Sequence, residues 1–159
     1  MRMRTRSRRV GGAALALAIA GVALFALDAA ASSDIKAPTT IVAVARFSHA
    51  TVVDAAPAGF SAGDEQVVAG RLVQGGEQIG SFGFVCQFLT AGAAPKEDCS
   101  GTGQLPGGQI TLHGFSSTLD SEHMWAITGG TGIYDNARGQ VQIEDLSDAA
   151  SRVTVEVIP

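Results

Sequence analysis

Apolar residues in this chain recur at every second position over short runs, and Gly, Pro, Asp or Ser interrupts each run before it grows long. A helix needs a period near 3.6, so this spacing predicts an all-β chain, with no helix past the N-terminal segment. Strands are predicted at 40–47, 65–74, 78–89, 100–105, 109–116, 123–128, 139–146 and 151–158. Gly75-Gly76 and Pro106-Gly107-Gly108 have the composition of turns that join antiparallel neighbours. Eight such strands predict a small closed antiparallel β-barrel, since closure removes the exposed edges on which strands this apolar would aggregate. A two-sheet sandwich is the alternative arrangement.

The faces of the strands bear on whether such a barrel holds a ligand. Phe82, Phe84, Cys86 and Phe88 share one face of the third strand, and Ile79, Ser81, Gly83, Val85 and Gln87 share the other. Val141 and Ile143, and then Val153, Val155 and Val157, alternate with polar residues on the last two strands. An eight-stranded barrel is just wide enough to be filled by its own side chains or to hold one small ligand. The pattern leaves both open. The aromatic face makes Phe82, Phe84 and Phe88 the candidate binding wall for an apolar ligand, with Trp125 lining the mouth.

The N-terminus sets the compartment. Arg2, Arg4, Arg6, Arg8 and Arg9 precede an apolar run at 11–27, followed by Asp28 and three alanines. The run falls short of the ~20 residues of a spanning helix, and with its basic flank it predicts a secretory signal peptide at 1–31, cleaved after Ala31. An uncleaved anchor is the alternative reading, and Arg8-Arg9 leaves a twin-arginine route open beside the general one. A flexible lead at 32–40 and a single β-barrel domain at 41–159 follow. Cleavage removes five of the 11 basic residues and one of the 15 acidic ones, leaving six against 14, or net −8. The remaining Lys and Arg are scattered among acids. This argues against nucleic acid as a partner, and against a membrane partner once the signal is cleaved.

Cys86 and Cys99 are the chain's two cysteines, and an exported protein meets oxidising conditions, so a Cys86–Cys99 disulfide is expected. A buried thiol at Cys86 is the alternative. No Cys-x-x-Cys pair suggests a redox centre.

The segment 126–139, reading AITGGTGIYDNARG, joins two predicted strands through closely spaced glycines. It resembles the late signature of the plant allene oxide cyclases, which carry a Gly-Gly-Ser-Gly version, and of the dirigent proteins, with Gly-Gly-Thr-Gly and then Ala-Arg-Gly. Gly63-Asp64, Gly75-Gly76, Ile79-Gly80-Ser81, Cys86 and the run 108–114 (GQITLHG) precede it in the order found in the cyclases, so the resemblance spans roughly 41–158. It implies an eight-stranded antiparallel barrel with a largely hydrophobic cavity, no cofactor and frequent homotrimers. Gly129, Gly130, Gly132 and Gly139 become structural turn residues. The cyclases close an unstable fatty-acid epoxide, and dirigent proteins steer the coupling of phenolic radicals.

Residue by residue the resemblance carries less. The cyclases place a glutamate on the first strand, whereas 41–47 here reads IVAVARF and has no acid to stabilise developing positive charge. Cys86 matches a cyclase cysteine, but Cys99 offers it a partner. Asp54 resembles an early dirigent aspartate able to act as acid or base, or else is an ordinary loop residue.

Other groups suggest no established constellation. His49, His113 and His123 lack metal-ligand spacing, so no metal is expected; His113, mid-strand, is the one to weigh as a catalytic candidate. No Gly-x-Ser-x-Gly occurs. Gly129 to Gly132 lack the Lys and helix of a phosphate loop. Asp64 is expected to accept backbone hydrogen bonds in a loop, and Trp125 and Tyr134 to pack or line the mouth. Two functions remain: a secreted, cofactor-free protein guiding cyclisation, isomerisation or coupling of a lipophilic small molecule, or a non-catalytic secreted binding or structural barrel.

Overall fold

The computed structural model describes residues 37–158. The predicted signal peptide and residues 32–36 of the lead lie outside the described residues. Eight antiparallel strands follow in order: β1 (Thr39–Val53), β2 (Glu65–Gln74), β3 (Glu77–Phe88), β4 (Lys96–Leu105), β5 (Gly108–Ser117), β6 (Glu122–Gly130), β7 (Arg138–Ser147) and β8 (Ala150–Ile158). Each pairs with its neighbour and β1 closes on β8, so the sheet is a closed barrel and the sandwich alternative is excluded. Each strand alternates between the barrel interior and the outside.

Three boundaries differ from expectation by more than one residue. β1 runs past Phe47 to Val53, because a register shift between Phe47 and His49 absorbs the polar Ser48 and lets Ala50 to Val53 pair with β2. β4 starts at Lys96 rather than at 100, since pairing carries its charged first residues along: Glu97 stands opposite Phe88 on β3 and Ser116 on β5. In the glycine segment, Gly129 and Gly130 of β6 and Gly139 of β7 are strand residues rather than turn residues. The turn is a short 3-10 helix, Gly132–Tyr134, and positive φ occurs at Gly132 (65°), Asn136 (60°) and Gly139 (128°).

That segment seals one end of the barrel. Ile133 donates its N–H to Gly107 O at 3.1 Å and Thr131 to Gln109 O at 2.8 Å, which lays the segment on the β4–β5 turn. A side chain at Gly132 would collide with the Gly107 carbonyl. Tyr134 and Ala137, both buried, join Leu72, Leu105, Ile110, Ile127 and the β8 valines in a packed core. The sealed end is filled by side chains, and the opposite end is not.

Candidate functional site

The open end lies where the odd strands finish and the even strands begin. A cavity of about 350 Å³ reaches inward from it, large enough for one small molecule. Its aromatic wall follows from the period of β3, which turns Phe82, Phe84, Cys86 and Phe88 inward together. Phe82 stacks on Phe84 with centroids 6.2 Å apart, and Phe84 meets Trp125 of β6 edge-to-face at 5.4 Å. The four residues expected to form a binding wall therefore all line one cavity.

Cys86 and Cys99 stand opposite each other on β3 and β4 and are joined by the expected disulfide, which is buried. It packs against Trp125 and Phe84. Glu97 lies two residues before Cys99 and so points the same way, into the cavity. A Glu97 carboxylate oxygen and both sulfurs lie within 4.8 Å of one another. Bonded to each other, the sulfurs are not available to a metal.

Glu97 is only 7% exposed, and its Oε2 has no hydrogen-bond partner. Burial pushes its carboxyl above the ordinary value; the neighbouring His123 opposes that rise and the negative charge of Asp145 adds to it. Ser116 Oγ, Trp125 Nε1 and His123 Nδ1 are likewise buried without a partner, and all four residues line the cavity. Buried polar atoms are ordinarily paired, so four unpaired ones on residues that line a single hollow mark this part of the barrel as a candidate site for a ligand's polar group. His123 Nε2 lies 3.7 Å from Asp145 Oδ2, with His123 largely buried and Asp145 half exposed at the mouth.

The two catalytic candidates named from sequence lie elsewhere. His113 sits on the outer face of β5 and pairs with Asp98 at 2.6 Å, because its neighbours Leu112 and Ser116 take the inward positions. Asp54 is exposed in the β1–β2 loop, where Oδ2 accepts the Gly59 N–H at 3.0 Å. Glu97, Ser116 and His123 were not singled out as site residues, although parity was available as a signal: each lies two residues from an inward cysteine, glycine or tryptophan.

Asp64 behaves as expected. Buried to 1% exposure, it accepts the Ala55 N–H at 2.8 Å and the Ser61 N–H at 2.9 Å. Those backbone bonds, Ser61's first and then Ala55's, hold its carboxyl below the ordinary value. They fold the β1–β2 loop back toward the mouth, where Phe60 meets cavity-lining Phe88 edge-to-face at 4.8 Å. Around that opening Val52, Val53, Phe60, Leu89, Leu119 and Leu146 expose apolar side chains.

No protein-family profile matches the chain, and no curated protein sequence does. Solved structures do. A pyocyanin demethylase superposes with a TM-score of 0.70 at 23% identity, over 76% of this chain and 100% of that one. A pterocarpan synthase dirigent protein gives 0.60 at 16% identity, over 77% and 94%. The Diels-Alderase AbmU from Streptomyces koyangensis gives 0.59 at 18% identity, over 74% of this chain and 64% of that one. At these identities the likeness concerns the fold alone.

Proposed function

On a barrel of the allene oxide cyclase/dirigent type, we propose that this chain is a secreted protein that takes one lipophilic small molecule into its open end and guides its cyclisation or isomerisation. One observation carries the reading: four unpartnered buried polar groups, on Glu97, Ser116, His123 and Trp125, belong to residues that line one largely apolar hollow. An apolar body would bury against Phe82, Phe84 and Phe88 while a polar end meets that cluster, which fixes its orientation. Holding one reactive conformer is worth several kcal/mol of barrier without any covalent step. The apolar side chains round the mouth favour a guest of the same character.

The plant-type epoxide reaction is not the one supported. The inward residues of β1 include Ala43, Ala45, Phe47 and Ala50, so the first strand presents no acid to the cavity, and the one buried acid that lines it, Glu97, comes from β4. Neighbours of this fold are named for demethylation, Diels-Alder cyclisation and pterocarpan synthesis, which supports a barrel open to varied small-molecule chemistry. Export rests on the predicted signal peptide and is compatible with the disulfide.

The chain's single tryptophan, Trp125, reports directly on the cavity. Titration with the neutral apolar probe N-phenyl-1-naphthylamine is expected to quench Trp125 emission saturably. Emission unchanged up to the probe's solubility limit overturns the reading.

A further inference from the structure

We propose that Glu97 is the acid–base residue of the cavity, exchanging a proton with a neutral apolar substrate, and that His123 and Asp145 form the route by which that proton reaches solvent. The proposal rests on the ligand-binding reading above and gives it a reaction class: redox-neutral proton transfer at a weakly acidic C–H, or to an oxygen that is then released or re-bonded.

The argument is geometric. Glu97 is the one carboxylate among the cavity-lining residues that is buried; Asp120, Asp145 and Asp148 lie at the mouth. Glu97 lines the cavity, and its Oε2 has no partner within the protein. A carboxylate with little water around it is a stronger base than one in solution, and its neutral form persists to higher pH as an acid. Exposure then rises in steps outward, from Glu97 at 7% to the His123 side chain at 13% and the Asp145 side chain at 49%. His123 has its Nε2 toward Asp145, its Nδ1 is buried without a partner, and it is close enough to Glu97 for its charge to act there.

The groups that set the charge at Glu97 can be named from each neighbouring strand. β3 contributes Phe88 and the disulfide, β5 contributes Ser116, and neither carries a charge there. His123 on β6 and Asp145 on β7 are the charges that act on it, in opposite senses. Asp120 and Asp148 stand in the loops at the mouth.

5-Nitrobenzisoxazole tests this without knowledge of the natural substrate. A base removes its ring C–H proton, the C–H electron pair completes a nitrile, and the N–O bond breaks to leave a phenolate; no oxidant or metal is consumed. Binding is read from Trp125 quenching and turnover from phenolate absorbance. The native protein is expected to bind and turn over the probe, with a rate that rises through a pH midpoint above the ordinary carboxylate range. Glu97→Gln should still bind while losing on the order of 100-fold in rate, and Glu97→Asp should keep a pH-dependent rate. His123→Ala should raise the midpoint and Asp145→Asn lower it, shifts that a merely structural role would not produce. Saturable binding with a rate unaffected by Glu97→Gln, or a midpoint in the ordinary carboxylate range, overturns the assignment of Glu97 and leaves the ligand reading standing. Absence of binding overturns both.

Discussion

The indole of Trp125 occupies the space that a side chain at residue 114 would need: a Cβ built on Gly114 would collide with the five-membered ring, reaching Nε1 at 2.7 Å. Pairing between β5 and β6 runs only from Ile110 opposite Gly130 to His113 opposite Ala126, and the indole fills the interval beyond it. Gly114 thus sets the position of a cavity wall.

Gly114→Ala is therefore expected to cost about 1–3 kcal/mol by overpacking and to move the Trp125 emission maximum, as read by denaturant unfolding and fluorescence. Gly129→Ala is the control. Its added carbon would lie 3.5 Å from Thr111 Oγ1, an ordinary contact, and both readouts should stay near those of the native protein.

The disulfide spans 13 positions of sequence. Its reduction, or the pair Cys86→Ala and Cys99→Ala, is expected to lower stability by about 3 kcal/mol through the freedom returned to the unfolded chain. Unfolding curves with and without reductant measure it. The loss of a wall around Glu97 should also broaden the Trp125 emission.

Asp64 and Glu97 place opposite pH dependences in one molecule. The Asp64 carboxyl is held below its ordinary value of 3.8, so its contribution is complete above that value and is lost as pH falls through the lower folded value. Asp64→Asn should narrow the difference in stability between neutral and acid solution, seen in denaturant midpoints taken across the acid range.

Glu97 runs the other way. Its carboxyl is raised above 4.5, so stability is complete below that value and declines as pH climbs through the higher folded value, where a buried charge must form. Glu97→Gln should consequently equal or exceed the native protein in stability at neutral and mildly alkaline pH while losing turnover of the benzisoxazole. A functional group that costs stability is a common feature of active sites.

Much of this was legible in the sequence, for a physical reason. Two-residue alternation is read directly from side-chain chemistry, so β2 falls at Glu65–Gln74 as expected, and Phe82, Phe84 and Phe88 share one face of β3, which their apolar character turns inward. Strand limits fail where charged or polar residues are carried into pairing by neighbours. Lys96 to Asp98 look like loop until β3 and β5 are seen to bracket them, and Ser48 breaks the alternation of β1 until the register shift absorbs it. Glu97 was hidden for that reason. The contrast between His113 and His123 was hidden for another, since local alternation fixes which residues share a face but not which face is inside. The register to Cys86 and the apolar parity of Ile110 and Leu112 supply that answer, turning Glu97 in and His113 out.

Native mass spectrometry of the protein purified from its own culture medium tests the central claim most directly. The account predicts a chain lacking residues 1–31, with Cys86 and Cys99 oxidised, carrying at most one small apolar molecule per barrel, and displacement of that molecule, or filling of an empty barrel, by one equivalent of N-phenyl-1-naphthylamine. A barrel that arrives empty and takes up no probe would contradict it.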